Sequence, residues 1–174
     1  MQLIASIYKL LIESNNYSNQ NIAQIFKDWN NNLNSYLIDI STKKILEKID
    51  DEYLLEKVDD IADDNGTGRW MINYGVELGC SLSMLSSALN TRFISKLKSE
   101  RNELNKNIKR SSLEYKVDIN SLKNAYNFCR LINYIQAFCL INAANKNYNW
   151  DISISKALNV WSNGSIIKSS LIND

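Results

Sequence analysis

FCRLINYIQAFCLINAA, residues Phe128–Ala144, is the stretch that decides the fold, because 13 of its 17 residues are apolar. The run is short for a membrane span and contains an arginine, a glutamine and two asparagines, which are costly to place in lipid. Its apolar residues do not alternate with polar ones, so it does not read as a half-buried strand. It therefore predicts a long helix over about Asn120 to Asn147, buried on most sides, with Phe128–Ala144 as its most buried part.

Apolar residues continue at helical spacing on both sides of this stretch. We expect a helix from the first residues, a second one capped by Ser18, a third over Leu33 to Leu46, and a long one over about Ser81 to Lys109. After the central helix, a further helix over Ile152–Trp161 precedes an apolar tail. There is no proline to interrupt these helices, and we find no strand pair, no fixed-period repeat and no low-complexity linker. The sequence predicts a single all-α, multi-helix domain over residues 1–174.

Composition excludes several functional classes. The chain has 174 residues, 45% of them hydrophobic, and a formal net charge of +1; this is typical of a soluble globular domain and gives no electrostatic basis for nucleic-acid binding. Histidine is absent, which excludes histidine triads, histidine metal sites and histidine general bases. Cys80, Cys129 and Cys139 form no CxxC motif, and we interpret them as reduced core thiols of a cytoplasmic protein. The 25 asparagines are mediocre helix formers and are expected to work against the fold.

The acidic residues before Asn65 raise the question of a calcium loop. Aligning Gly66 with the invariant glycine of an EF-hand puts Ile61 at the first ligand position and Ile72 in place of the closing glutamate, so an EF-hand is rejected. We interpret the acidic run as a solvated face and expect no metal site.

NGTGRW, Asn65–Trp70, holds two of the five glycines of the chain. It is neither GxGxxG nor a P-loop, and no strand precedes it. Two interpretations stay open. The segment is a turn between helices, or it is the N-terminus of a helix beginning near Arg69, where backbone N–H groups and the Thr67 hydroxyl bind an anion.

Arg92 bears on that choice, since it follows the apolar residues Leu85, Ala88 and Leu89 at helical spacing and is expected on or beside their buried stripe. A guanidinium on an apolar face is costly unless an anion meets it. An internal carboxylate and a bound phosphate or carboxylate ligand would each meet it, and the residues leave both open.

Six blocks in order then carry a resemblance to a known family. They are WNNNLNSYLIDI (Trp29–Ile40), NGTGRW, TRFISKLKSER (Thr91–Arg101), RLINYIQAF (Arg130–Phe138), YNW (Tyr148–Trp150) and WSNGSIIKS (Trp161–Ser169). Together they resemble the first half of the all-α C-terminal domain of 6-phosphogluconate dehydrogenase. That family carries out the NADP-dependent oxidative decarboxylation of 6-phosphogluconate to ribulose 5-phosphate in the pentose phosphate pathway.

The resemblance implies that Thr67 and Arg92 contact the sugar phosphate. Asn65 stands where the family has a substrate-binding lysine, so it is the third candidate substrate residue and a departure from the pattern. In the tail motif, Ser162 and Asn163 replace an arginine and a glycine of the family. We therefore expect binding of 6-phosphogluconate to be weak or lost.

The resemblance also implies what the chain lacks. The family's NADP-binding domain and its catalytic lysine and glutamate precede the position of Met1, which agrees with a first helix that has no N-cap residue ahead of it. The tail arginine and histidine that the family gives to a neighbouring subunit are absent too. We expect no catalytic or cofactor-binding residue here, and no NADP bound by this chain alone.

Three functions stay open: an inactive fragment of the enzyme, one half of a split enzyme, and a non-catalytic helical interaction module. Faces that the intact family covers are expected to favour a homodimer or a missing cofactor-domain partner.

Overall fold

The computed structural model describes residues 1–108 and 116–173, and this part of the chain is predominantly helical, which confirms the all-α class. Lys109, the end of the predicted helix from Ser81, lies outside the described residues, and so does Asp174. The helices are α1 (Gln2–Asn15), α2 (Asn19–Leu33), α3 (Tyr36–Leu46), α4 (Leu54–Lys57), α5 (Thr67–Glu77), α6 (Ser83–Lys96), α7 (Lys98–Asn107), α8 (Ile119–Tyr148), α9 (Ile154–Gly164) and α10 (Ser170–Asn173).

Polar side chains set several helix ends. Ser18 caps α2 as predicted: its Oγ accepts the Asn21 N–H at 3.3 Å, and the Asn21 side chain accepts the Ser18 N–H at 3.3 Å. Asn16, Asn34 and Asn149 end α1, α2 and α8 with φ values of 53°, 44° and 52°. Asparagine adopts this left-handed conformation more readily than most residues. The expectation that asparagine works against this fold is therefore wrong at these three positions.

A short strand pair corrects another expectation. β1 (Lys48–Ile49) pairs antiparallel with β2 (Glu52–Tyr53). Between them, Asp50 and Asp51 have φ values of 52° and 67°, as the two central residues of a type I′ hairpin turn require. Strands of two residues are too short to show an alternating pattern, which is why the sequence gives no sign of them.

The hydrophobic core lies where α1, α2 and α3 meet the first turns of α8. Its largest fully buried side chains are Leu11, Ile22, Phe26 and Ile38, all from the first three helices. The Trp29 ring of α2 stacks on a tyrosine of α8 with 5.8 Å between the ring centroids. The amino-terminal third of the chain therefore carries the most buried residues.

α8 is the predicted long helix, with 30 residues, and the Asp118 side chain caps it by accepting the Ser121 N–H at 2.7 Å. The expectation that Phe128–Ala144 is the most buried segment is wrong, because Phe128 is 64% exposed and Ile135 is 44% exposed. α8 packs on α1, α6 and α9 with one side, and its other side faces solvent. Within the described ranges, no helix combines the length and apolarity that a membrane crossing requires.

The exposure of the cysteines differs from the expectation that they are core thiols. All three are free thiols; Cys80 and Cys129 are half-buried, and Cys139 is exposed. The interpretation of Cys139 as a core thiol is therefore wrong, since its side chain lies on the solvent side of α8.

The predicted helix over Ser81 to Lys109 is broken at Leu97 into α6 and α7. The Leu97 N–H bonds to the carbonyl of Ile94 at 3.1 Å, three residues back, which ends the α-helical pattern. The carbonyl of Ser95 accepts the Arg101 guanidinium at 2.8 Å. This contact stabilises the bend and turns Arg101 towards the loop before α5.

Candidate functional site

The glycine segment forms the N-terminus of α5, as one of the two interpretations predicts. The helix begins at Thr67, two residues before Arg69, and Gly66 is its N-cap with φ 90°. Only glycine adopts this conformation without strain. At Gly68 a Cβ atom would lie 3.2 Å from Cδ1 of Leu89. The second glycine therefore lets α5 pack closely against α6.

Two of the three predicted site residues are bonded to each other. The Asn65 side-chain oxygen accepts the Thr67 N–H at 3.3 Å and the Thr67 hydroxyl at 2.8 Å. Both residues are exposed. Helix geometry leaves the N–H groups of Gly68 and Arg69, in the first turn of α5, without an intrahelical acceptor. The end of α5 therefore presents backbone donors to solvent, while the Thr67 hydroxyl hydrogen is directed to Asn65.

Arg92, expected on or beside the buried stripe of Leu85, Ala88 and Leu89, is exposed, and that stripe is itself only half-buried. Its Nη1 donates to the carbonyl of Asp63 at 2.9 Å. No residue of α6 is fully buried, so the helix offers no apolar interior for the guanidinium to enter. The side chain instead crosses to the loop that precedes α5, two residues before Asn65. Within the described ranges, no carboxylate forms an ion pair with Arg92.

Contact of Thr67 and Arg92 with one sugar phosphate, which the resemblance implies, stays a prediction. A cavity of about 570 Å³ lies beside α6, and its lining includes neither of these residues, nor Asn65. What the structure brings together is the Arg92 guanidinium and the loop that leads into the N-terminus of α5.

The acidic residues Asp59–Asp64, which we call the acidic strap, are held on α6 and α7 by ion pairs. Asp59 pairs with Lys98 at 2.6 Å, and Asp60 pairs with Arg101 at 2.6 Å. The hydrogen bond from Arg101 is the main cause that lowers the pKa of Asp60 to about 2. Most of the strap is exposed, as expected for a solvated face. Its carboxylates also form ion pairs with cations of α6 and α7.

Asp64 ends the strap and is its buried member, with a side chain only 6% exposed. Its Oδ1 accepts the Gly66 N–H at 3.0 Å and lies 3.2 Å from the Arg69 Nε. Sequence reasoning missed this residue. An aspartate two positions before a glycine is typical of an Asx turn, and that signal could have identified it.

Arg92 differs from the other two cations at this corner in its bonding partner. Arg69 and Lys96 are ion-paired with Asp64 and Asp63, whereas Arg92 bonds to a backbone carbonyl. A free positive charge beside a helix N-terminus can bind an anion. Among the described residues, no group of three or more Cys, Asp or Glu side chains is arranged to hold a metal ion.

The whole chain resembles proteins of known activity. The family model described as "6-phosphogluconate dehydrogenase, C-terminal domain" matches residues 1–174. The decarboxylating 6-phosphogluconate dehydrogenase of Lactococcus lactis subsp. cremoris is 33% identical over 180 residues, covering 99% of this chain and 38% of that protein. The Escherichia coli enzyme is 35% identical over 179 residues, with the same two coverages.

A solved structure gives the same picture. The Plasmodium falciparum 6-phosphogluconate dehydrogenase superposes with a TM-score of 0.93 at 30% identity, over 99% of this chain and 39% of that one. Its structure was determined in the apo form, with its cofactor NADP+ and with its substrate 6-phosphogluconate. This chain thus spans about 38–40% of the length of the curated relatives that it matches.

Proposed function

Because this chain belongs to the family of 6-phosphogluconate dehydrogenase C-terminal domains, we propose that it is a fragment of an NADP-dependent 6-phosphogluconate dehydrogenase. The proposal is that it retains part of the substrate site and is inactive by itself. The observation that carries it is the match over all 174 residues to only 38% of the Lactococcus enzyme. Hydride transfer needs a positioned cofactor and a proton-transfer group within hydrogen-bond reach of the substrate. These would come from the rest of such an enzyme.

The proposed residual site is the corner formed by the α5 N-terminus and Arg92. The substrate phosphate would lie between the guanidinium and the N–H groups of Gly68 and Arg69. Arg92 is suited to this role because its contact in the structure is with a carbonyl, and an anionic phosphate is a stronger acceptor than a neutral carbonyl.

Asn65 weakens this site for two reasons. It carries no charge where the resemblance implies a lysine, and a hydrogen bond to a charged group is worth about 1.5–3 kcal/mol. It also accepts the Thr67 hydroxyl at 2.8 Å, so that hydroxyl does not donate to a ligand. We expect a dissociation constant on the order of millimolar for 6-phosphogluconate.

Calorimetric titration of 6-phosphogluconate into the unmodified chain and four variants tests the site. Asn65→Lys should tighten binding because it adds a cation and releases the Thr67 hydroxyl, whereas Asn65→Ala releases the hydroxyl without adding charge. Arg92→Ala should abolish binding. Lys106→Ala, which removes a cation from α7, is the control and should bind like the unmodified chain.

Gluconate is the ligand control, since it lacks the phosphate and should not bind. The site is disproved if Asn65→Lys shows no phosphate-dependent heat, or if Arg92→Ala binds as well as the unmodified chain. In a separate assay, the purified chain should not reduce NADP in the presence of 6-phosphogluconate.

Exposed apolar side chains favour a second candidate, a helical module that binds another polypeptide. Trp70, Phe128 and Val160 are 63%, 64% and 69% exposed. We propose that the partner is a second copy of the chain or a separate cofactor domain. NADP reduction that appears only after mixing with the amino-terminal part of the Escherichia coli enzyme would support the split enzyme. Absence of any complex in sedimentation would exclude both partners.

A further inference from the structure

Arg130 of α8 is a buried cation that neither the fold nor the proposed substrate site explains. The residue is only 9% exposed, and its Nη2 has no hydrogen-bond partner. Its guanidinium carbon lies 5.6 Å from the centre of the Tyr126 ring, which gives a cation–π contact. Within residues 1–108 and 116–173, no carboxylate forms an ion pair with it. A buried guanidinium without a compensating anion is strongly unfavourable.

Arg130 also lines a cavity large enough for a ligand. The cavity has a volume of about 570 Å³ and lies between α1, α6 and α8, within the range of about 300–1,000 Å³ that small-molecule sites occupy. Most of its wall is apolar. Side chains from all three helices and from α9 contribute to it, including Ile4, Met84, Ala88, Ala137 and Trp161.

No negative charge of the wall competes for Arg130. Tyr126 lines the same cavity, and burial raises the pKa of its hydroxyl to about 12, so the group stays neutral at physiological pH. The polar side chains of the lining are otherwise uncharged: Gln2, Ser6, Ser35, Ser87, Asn133 and Tyr134. Met1 also lines the cavity, and burial and the charge of Arg92 lower the pKa of its N-terminal ammonium, which favours the neutral amine. The cavity therefore combines the buried Arg130 guanidinium and the Met1 amine with a largely apolar wall that carries no negative charge.

We propose that this cavity binds a small organic monocarboxylate with an apolar body, whose carboxylate meets the Arg130 guanidinium. A planar carboxylate matches the two parallel donors of a guanidinium. One negative charge neutralises the Arg130 guanidinium, and the lowered pKa of the Met1 ammonium favours its neutral form. A phosphate dianion would therefore bring a second, uncompensated charge into an apolar site. A polyhydroxylated sugar acid would leave its hydroxyl groups without partners against that wall.

The cavity shares no lining residue with the proposed sugar-phosphate corner, although the charge of Arg92 helps to lower the pKa of the Met1 ammonium in its wall. None of Asn65, Thr67 and Arg92 lines the cavity. Loss of one site therefore leaves the other testable, and Lys106→Ala, which removes an exposed cation outside the cavity lining, is the control for Arg130→Met.

Calorimetric titration with octanoate below its micellar concentration tests the proposal, with octan-1-ol and inorganic phosphate as comparison ligands. The chain should bind octanoate saturably, octan-1-ol more weakly and phosphate not at all. Arg130→Met should weaken octanoate binding by about tenfold or more and leave octan-1-ol binding unchanged. Arg130→Lys should retain part of the octanoate affinity, and Lys106→Ala should retain all of it.

Four results would overturn the proposal: no octanoate binding, equal binding of octanoate and octan-1-ol, phosphate binding as tight as that of octanoate, or unchanged octanoate binding in Arg130→Met. Circular dichroism checks that Arg130→Met is folded. If it does not fold, the comparison of the three ligands and Arg130→Lys still decides.

Discussion

Replacing Asp64 by alanine removes the contact that fixes the glycine turn. The Asp64 Oδ1 accepts the Gly66 N–H at 3.0 Å and lies 3.2 Å from the Arg69 Nε. Gly66 is buried, so water does not readily replace the lost acceptor. The Arg69 side chain is 59% exposed, and water can solvate it after the substitution. The cost should therefore come mainly from the Gly66 N–H.

A buried donor bonded to a carboxylate loses about 1.5–3 kcal/mol when its partner is removed. For a domain of this size, that loss lowers the melting temperature by about 3–12 °C. Asp63→Ala is the matched control, because Asp63 also bonds to a cation, Lys96, at 2.7 Å, but its side chain is 90% exposed. An exposed ion pair contributes about 0–1 kcal/mol.

Urea denaturation of the three proteins, followed by circular dichroism, gives the two differences in unfolding free energy. Asp64→Ala should unfold at a lower urea concentration than Asp63→Ala, without a large change in the denaturant slope. If the two variants are equally stable, the acidic strap holds the turn through general charge pairing, and the assigned role of the Asp64 carboxylate is wrong.

Three further predictions concern packing, pH and association. Gly75→Ala should lower the unfolding free energy by about 1–3 kcal/mol, because its Cβ would lie 2.4 Å from Cδ1 of the buried Leu82. Gly164→Ala, whose Cβ would meet no atom within 4 Å, should raise it by about 0.4–1 kcal/mol in the same urea assay. The pKa of Asp60 falls from 3.8 to about 2 on folding, so its stabilising contribution is present above pH 3.8 and should be lost as the pH falls towards 2, as acid titration of stability would show. The chain should self-associate with increasing concentration in sedimentation, and Phe128→Glu should reduce this; a monomer at all concentrations would contradict it.

The helices could be predicted where the signals are local. The cap residue Ser18 and the apolar spacing that predict α2 lie within the helix or next to it. The apolar spacing that predicts the length of α8 is local in the same way. The break at Leu97 could not be predicted, because it is accompanied by a bond between Arg101 and the Ser95 carbonyl and by pairing of Arg101 with the acidic strap. Such contacts depend on which segments meet in space.

Burial of α8 could not be predicted for a related reason. Apolar density shows that a helix has apolar faces, but it does not show which neighbours cover them. Phe128, Leu131 and Ile135 lie along one side of α8 and are 64%, 42% and 44% exposed. Side chains of the same types in α1 to α3 are fully buried, because those helices pack on one another from several sides.

Arg92 and Arg130 show which part of a buried charge can be predicted from sequence. A guanidinium among apolar residues needs an anion, and helical spacing in the sequence points to Arg92 as such a residue. In the structure that condition belongs to Arg130, which lies inside the most apolar stretch of the chain and is 9% exposed. Arg92 is not enclosed by apolar residues, because α6 has an exposed side and the loop before α5 lies within reach of the guanidinium. Helical spacing identifies neighbours along one helix, whereas the need for a counter-ion depends on the surfaces that enclose the side chain.

Replacing the two arginines should therefore change the unfolding free energy differently. Arg130→Met removes an uncompensated buried charge and should leave the unfolding free energy unchanged or raise it, whereas Arg92→Met should lower it by no more than about 1 kcal/mol. A large loss of stability in Arg130→Met, measured by urea denaturation, would show that the guanidinium already has its compensation within the fold.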